Sequence, residues 1–182
     1  DRIIPVGTLE EAKAHKERGF MVAAERDGIV RDFADFGNSP YNFSPERVKG
    51  NQIVYSTTNG TNAIHLASSG KQVLIGAYLN ISALAGHIIR SDSDLLILCA
   101  GWKNKFNLDD TLFAGALSKL VLEDKRFYTI CDATLGAMDL YDAAKGDMMA
   151  YLEKVAQRHR LKKNKLDDVI GYCHEFNRTE LI

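Results

Sequence analysis

The chain has 182 residues, 46% of them apolar, which is enough for one globular domain with a sizeable core. Its 23 basic and 24 acidic residues leave a formal net charge of −1, which argues against a general nucleic-acid or membrane-surface binder. No apolar run approaches the roughly 20 residues of a membrane span, and the three cysteines are widely spaced without a C-x-x-C pair. We therefore expect a cytoplasmic protein without disulfides or a zinc site.

The first 28 residues predict a strand, a helix and a second strand. Apolar residues 3–6 end the first strand, a Thr8–Glu11 capping box begins a helix that runs to about Arg18, and residues 20–24 form the next strand. Short apolar strands alternating with helices predict an α/β fold, a three-layer α/β/α arrangement around a mainly parallel or mixed sheet. Ligands bind beyond the carboxyl ends of such strands, where Glu25 and Arg26 lie. A solvated salt pair explains these two residues equally well.

Residues 31–44 have no clear period and are rich in oxygen donors, among them Asp35, Asn38 and Ser39. The segment is long enough to fold over a binding site.

Residues 51–70 read as a strand, a polar turn and a helix. Residues 53–56 are apolar or β-favouring, residues 62–69 have helical spacing, and Gly70 is the expected stop. The turn between them offers three hydroxyls, one amide and a glycine, from Thr57, Thr58, Asn59, Gly60 and Thr61. A helix N-terminus with such a turn suits a phosphate, sulfonate or carboxylate. An ordinary turn with Thr61 as N-cap is the alternative, since neither standard phosphate-binding glycine motif is present.

Two further strands are predicted over residues 73–78 and 95–99, with a helix from about Asn80 between them. Cys99 ends the second of these strands, where a nucleophile could lie. The residue six positions beyond it is Lys105, however, and not the arginine that a cysteine phosphatase needs. We therefore expect Cys99 to be a buried structural cysteine.

The second half of the chain is predicted to be helical. Asn107 is a good N-cap for a helix that runs to about Leu122, and Asp109 and Asp110 lie in its first turn. The helix dipole explains both carboxylates, and a magnesium site is the functional alternative. Helical patterns continue after Asp132, followed by a basic stretch over 158–165 and a final amphipathic helix over 166–176.

Several segments together resemble the 2-phosphosulfolactate phosphatase family. In the family's order and over most of the chain they are Ile4-Pro-Val6, Glu25-Arg26, Phe36-Gly-Asn-Ser-Pro40, Thr57-Thr-Asn-Gly-Thr61, Cys99-Ala-Gly101, and Asp109-Asp110 with Ala114-Gly115. The resemblance implies a magnesium-dependent phosphatase that hydrolyses (2R)-2-phospho-3-sulfolactate to 3-sulfolactate and phosphate in coenzyme M synthesis.

The resemblance also implies roles for individual residues. Glu25, Asp35 and Asp110 are the candidates for catalysis, and Asp35, Asp109 and Asp110 are the candidates for holding Mg²⁺. The small anionic substrate would be bound by Arg26, Asn38, Ser39, Thr57, Thr58, Asn59, Gly60 and Thr61.

The chain also departs from the family's pattern. We expect a single domain over residues 1–182 that lacks the family's N-terminal strand and its Asp-x-x-Arg-Ala-Thr-Thr-like motif, which would precede Asp1. The segment from Trp102 to Phe106 differs from the smaller, more acidic loop expected there. Two alternatives therefore stay open: a non-catalytic protein that binds a small phosphorylated or sulfonated acid, or a phosphatase for another phosphorylated hydroxy acid. A homo-oligomer is also left open.

Overall fold

A four-stranded mixed sheet forms the first third of the protein. The computed structural model describes residues 2–182, and in this range the sheet comprises β1 (Arg2–Pro5), β2 (Met21–Arg26), β3 (Ile29–Val30) and β4 (Gln52–Ser56). The strand order is β1-β4-β2-β3, with β4 parallel to both of its neighbours and β3 antiparallel to β2. The predicted α/β class with a mixed sheet is confirmed. Strand β4, which lies between β1 and β2, leads into the threonine-rich turn.

Helix α1 (Leu9–Glu17) connects β1 to β2 and covers one face of the sheet. The predicted capping box is present: Glu11 N donates to Thr8 Oγ1 over 3.1 Å, and Thr8 N donates to the Glu11 carboxylate over 3.2 Å. Ala12 of the helix is fully buried against Val22 and Val54 of the sheet. The local cap therefore fixes where the helix begins, and burial of one small residue fixes which side faces the strands.

The opposite face of the sheet is covered by the irregular segment over 31–44 and by the short helix α2 (Pro45–Val48). Phe36 lies against Ala23 and Ile53, and Phe43 and Val48 pack around this cluster. A backbone hydrogen bond also holds this segment to the sheet, since Ala24 N donates to the Phe36 carbonyl over 3.1 Å. Phe36 of this segment thus belongs to the core, with Phe43 half-buried beside it.

The remaining helices follow the sheet in chain order. They are α3 (Gly60–Ala67), α4 (Ile81–Ser91), α5 (Leu108–Val121), α6 (Asp132–Ala144), α7 (Met148–Leu152), α8 (Ala156–Lys163) and α9 (Val169–Cys173). Helix α5 is central, since it shares one apolar cluster with α4 and another with α6, α7 and α9. At its crossing with α6 a Cβ atom on Gly115 would overlap the Ala137 carbonyl oxygen. The two helix backbones can approach this closely only with glycine at that position. Across residues 2–182, none of the helices combines the length and the apolar character that crossing a membrane requires.

The prediction of strands over residues 73–78 and 95–99 is wrong. Both segments have no strand structure, and Ile75, Leu96 and Leu98 are exposed, Leu96 to 88%. Their apolar composition favours strands, but a strand needs a hydrogen-bonding neighbour, and within the described residues the sheet ends at β1 and β3. For the same reason Cys99 is exposed, and its prediction as a buried cysteine is also wrong.

Candidate functional site

The threonine loop (residues 57–61) lies at the carboxyl end of β4 and leads directly into α3. Helix α3 begins at Gly60, two residues earlier than predicted. Thr57 and Thr61 are buried and bind each other: Thr61 N donates to Thr57 Oγ1 over 3.3 Å, and the Thr61 hydroxyl donates to the Thr57 carbonyl over 3.1 Å. The hydroxyls of these two predicted binding residues therefore hold the loop against the first turn of the helix.

Glu25 anchors the same loop from the neighbouring strand. Its side chain is buried, with the residue 5% exposed, and it accepts the backbone N–H groups of Gly28 and Thr58, each over 2.7 Å. The Thr58 hydroxyl lies 3.1 Å from both carboxylate oxygens. A carboxylate that accepts several N–H and O–H bonds in a buried position fixes its neighbours firmly. Glu25 thus sets the conformation of the threonine loop.

Arg26 ties together the ends of three parallel strands. One guanidinium nitrogen donates to the Glu25 carbonyl over 2.7 Å. The other donates to Ser56 Oγ over 3.0 Å and to the Gly7 carbonyl over 3.3 Å. The planar, multidentate guanidinium suits this bridging role. Arg26 therefore lies at the predicted edge of the sheet, with its terminal nitrogens engaged by the protein.

The first turn of α3 keeps free donors. The backbone N–H groups of Gly60 and Asn62 donate to no acceptor in the described part of the chain. At a helix N-terminus such groups, together with the positive end of the dipole, are suited to an anion. Asn38 and Ser39 lie nearby on the wall of the same cavity as Gly60.

A tight turn over 102–105 crosses the threonine loop. Trp102 and Lys105 exchange two backbone hydrogen bonds of 3.0 Å, and Lys103 and Asn104 both have positive φ angles, of 51° and 59°. Lys103 N donates to Asn59 Oδ1 over 2.9 Å, and Lys103 Nζ lies 2.7 Å from Asp27 Oδ1. The turn thereby places one cation beside the loop, and Asn59 acts as its docking point.

Asp109 and Asp110 lie in the first turn of α5, as predicted. Asn107 caps the helix by accepting Asp109 N over 3.0 Å. Asp110 Oδ2 accepts Gly101 N over 2.6 Å. Burial raises the pKa of Asp110 and the charge of Asp109 adds to this, which together outweigh the Gly101 N–H and the Arg160 guanidinium. Asp110 is therefore easier to protonate than an ordinary aspartate.

Two further residues approach this carboxylate pair and were not predicted from the sequence. His174 follows α9, and its Nε2 lies 3.6 Å from Asp109 Oδ1. Arg160 of α8 places its guanidinium 4.3 Å from the centre of the Trp102 ring. Both residues are more than 45 positions away along the chain, so no spacing pattern links them to Asp109. The sequence offers one signal for His174, which is that it directly follows the apolar residues of a short helix.

A cavity of about 1350 Å³ brings five of the twelve predicted site residues together. Its lining includes Asn38, Ser39, Gly60, Asp109, Asp110 and His174. Thr58 and Asn59 line a smaller adjoining depression with Lys103. Gly60 of the threonine loop and the carboxylate pair therefore line one cavity, although they come from different halves of the chain.

Asp35 lies elsewhere. Its carboxylate is 2.6 Å from Lys16 Nζ and accepts Val22 N over 2.8 Å, which places it near the amino end of β2, whereas Glu25 is near the carboxyl end. Burial is the largest single influence and would raise the pKa of Asp35, but Lys16, the Val22 N–H and Arg47 together outweigh it and lower that pKa. The structure does not bring Asp35 to Asp109 and Asp110, because residues 31–44 run along the face of the sheet.

The carboxylate pair fits a hard divalent cation. Within residues 2–182 no group of three or more His, Cys, Asp or Glu side chains is arranged to hold a metal. Mg²⁺ does not need such a group, because it commonly binds one or two carboxylates and keeps water and substrate phosphate as its other ligands. Asp109 Oδ2 and Asp110 Oδ1 accept no hydrogen bond from the described residues, and both aspartates line the cavity. Two oxygens are thus available for one ion.

Comparison with known proteins points to one family. The family model described as 2-phosphosulpholactate phosphatase matches residues 1–182, the whole chain. A protein of Caldanaerobacter subterraneus subsp. tengcongensis named "Probable 2-phosphosulfolactate phosphatase" is 32% identical over 184 residues, covering 99% of this chain and 76% of that protein.

Clostridial relatives with the same name agree. The protein from Clostridium novyi is 33% identical over 176 residues, which are 95% of this chain and 74% of the relative. The protein from Clostridium acetobutylicum is 30% identical over 184 residues, which are 100% of this chain and 78% of the relative. The similarity therefore extends through both the sheet and the helical half.

Proposed function

The chain belongs to the 2-phosphosulpholactate phosphatase family, and on that premise we propose that it is a magnesium-dependent phosphoric monoester hydrolase. Its substrate is (2R)-2-phospho-3-sulfolactate, and its products are 3-sulfolactate and phosphate. The observation that carries the proposal is the position of Gly60, at the start of α3, on the same cavity as Asp109 and Asp110. An anion-binding helix end and a pair of carboxylates with free oxygens face one space.

The first turn of α3 binds the phosphate in this proposal. The free N–H groups of Gly60 and Asn62 donate to its oxygens, and the positive end of the helix dipole favours its charge. Glu25 contributes by keeping the threonine loop in the conformation that presents these groups. No rearrangement of the loop is then needed when the substrate arrives, which is the benefit of a preorganised site.

Asp109 holds the magnesium ion through its Oδ2 atom, and water and the substrate phosphate are the other ligands. When bound there, Mg²⁺ supplies positive charge that polarises the phosphoryl group. In hydrolysis a water molecule adds to phosphorus, the ester P–O bond breaks, and the departing alkoxide oxygen receives a proton. The Oδ1 atom of Asp110, which accepts no hydrogen bond from the described residues, is the group that accepts the proton of the water, because Oδ2 is committed to Gly101 N.

The other anionic groups of the substrate need donors at the rim of the cavity. Asn38 and Ser39 lie on its wall without any hydrogen bond from their side chains in the described part of the protein. Lys103 stands beside the threonine loop, and half of its side chain is exposed. We assign the carboxylate and the sulfonate to these groups, because a substrate with three anions requires cationic or polar partners beyond those at the phosphate.

Phosphate release from 2-phosphosulfolactate tests the proposal. The assay is run with Mg²⁺ and again with EDTA, and with 2-phospholactate, which lacks the sulfonate, as the matched second substrate. We expect Mg²⁺-dependent release and a marked preference for the sulfonated compound. Release from both compounds at equal efficiency would instead identify a phosphatase for phosphorylated hydroxy acids in general. Tight binding of 2-phosphosulfolactate without release would identify a binding protein.

A further inference from the structure

His174 is a buried histidine on the wall of the cavity. Its side chain is only 13% exposed, and its ring packs against the ring of Tyr78 with 5.3 Å between their centroids. A buried histidine needs partners for both ring nitrogens, because each unpaired polar group costs free energy away from water. The two nitrogens of His174 face two different acceptors.

The hydrogen bonds define which atoms carry protons. His174 Nδ1 lies 2.9 Å from the Ile170 carbonyl oxygen, and since a carbonyl only accepts, Nδ1 carries a proton. Nε2 lies 3.6 Å from Asp109 Oδ1. Nε2 is thus the ring atom that the fold holds beside this carboxylate oxygen, while Nδ1 is fixed by the Ile170 carbonyl.

Asp109 depends on this contact for its orientation. Its Oδ1 atom is buried and accepts no hydrogen bond in residues 2–182, and His174 Nε2 lies 3.6 Å from it. The whole side chain is nevertheless 22% exposed. Because Oδ1 is buried, this exposure comes from the remainder of the side chain, which includes Oδ2. Binding of one oxygen by His174 thus leaves the other for the cavity.

We propose that His174 is a positioning residue that holds Asp109 so that Oδ2 is presented to the divalent cation. The inference rests on the proposed function for the identity of the cation. Groups that orient a metal-binding carboxylate through its second oxygen change metal affinity or activity by about 10–100-fold when they are removed.

The experiment compares two substitutions at one position. His174→Phe keeps a ring against Tyr78 but cannot donate to Asp109, whereas His174→Gln keeps an N–H donor. Mg²⁺ binding is measured by titration calorimetry, and kcat and KM are measured at saturating Mg²⁺. We expect His174→Phe to weaken Mg²⁺ binding by about 10–100-fold and to lower kcat with little change in KM, and His174→Gln to recover part of both losses. His87→Phe is the matched control. His87 lies on α4 and contacts Gln72, so this variant should bind Mg²⁺ as the wild type does.

A double-mutant cycle with Asp109→Asn provides the second test, and it also serves if His174→Phe does not fold. If His174 acts through Asp109, the loss caused by His174→Gln disappears in the Asp109→Asn background. Wild-type Mg²⁺ affinity and kcat in a folded His174→Phe protein, or equal losses in both backgrounds, would overturn the positioning role and leave the proposed function intact. Failure of the wild-type protein itself to bind Mg²⁺ would overturn both.

Discussion

The carboxylate of Glu25 accepts the backbone N–H of Thr58 over 2.7 Å and thereby joins the carboxyl end of β2 to the loop that follows β4. Gly28 N donates to the other carboxylate oxygen over 2.7 Å. Because both carboxylate oxygens of Glu25 accept backbone N–H groups, we expect Glu25 to support the loop rather than to react with the substrate. The candidate functions of Glu25, catalysis and support, can therefore be separated by measuring stability and activity together.

Glu25→Ala should lower the free energy of unfolding, because it leaves the N–H groups of Gly28 and Thr58 without their acceptor. The expected cost is about 1–3 kcal/mol for each group, measured by urea unfolding. Glu25→Gln, whose amide oxygen can still accept one bond, should cost less. If Glu25→Gln abolished activity at unchanged stability, Glu25 would act directly on the substrate.

Asp110→Asn should lower kcat/KM by about 10²–10⁴-fold, the range for loss of a group that transfers a proton. The substitution keeps the size of the side chain and an oxygen that can accept Gly101 N, so the fold should be retained. The kinetics are measured at several Mg²⁺ concentrations to separate weaker metal binding from slower chemistry. Activity within a few-fold of the wild type would remove Asp110 from the reaction.

Asp35→Asn should leave kcat/KM unchanged and alter stability instead. In the folded protein the pKa of Asp35 lies below 3.8, so its ionised form stabilises the fold above that pH, and this stabilisation is lost as the pH falls through the folded-state pKa. The difference in unfolding free energy between wild type and variant should therefore be larger at about pH 7 than at about pH 3. A large loss of activity would place Asp35 in the site, contrary to its contacts with Lys16 and Val22.

Gly115→Ala should destabilise the protein strongly, because the added Cβ would overlap the Ala137 carbonyl oxygen at the crossing of α5 and α6. Overpacking of this kind typically costs about 1–3 kcal/mol and sometimes more. Gly136→Ala, in α6, is the control, since nothing lies within 4 Å of its added Cβ. That change should be neutral or stabilise the helix by up to about 1 kcal/mol. Equal thermal unfolding midpoints for the two variants would contradict the close crossing.

The stability contributed by His174 should depend on pH. Burial alone would lower the pKa of His174, but Asp109 and the Ile170 carbonyl outweigh it, and the folded-state pKa lies above 6.5. The contribution is complete below pH 6.5 and is lost as the pH rises through the higher folded-state pKa. His174→Gln should therefore reduce the free energy of unfolding more at about pH 6 than at about pH 9. A reduction that does not vary over this range would show that the ring is not charged in the folded protein.

Local signals predicted the elements whose causes are local. Thr8 and Glu11 set the start of α1, and Asn107 sets the start of α5, because each cap is complete within four residues of sequence. The threonine loop was predicted at the end of β4 for a similar reason. Its internal bonds, such as Thr57 to Thr61, are nonetheless visible only in three dimensions.

Long-range contacts decided the features that the sequence did not predict. Asp35 has the same chemistry as Asp109, but the path of residues 31–44 takes it to the amino end of β2. His174 approaches Asp109 across 65 positions because α9 packs beside α5. Neither relationship leaves a periodic pattern in the chain. Residue type could therefore identify carboxylates as candidate site residues, but only the packing of the helices could show which of them share a cavity.

The exposed segment over 95–99 has a consequence for the rates at which backbone amides take up deuterium. Its residues are among the most apolar of the chain, yet they form no strand, and Leu96 and Leu98 lie open to solvent. Val54, in contrast, is fully buried in β4 between two paired strands. Amides near Leu96 should be labelled almost as quickly as those of an unfolded peptide, and the amides of β4 only when the sheet opens. In this protein, high hydropathy and slow labelling mark different stretches of the chain.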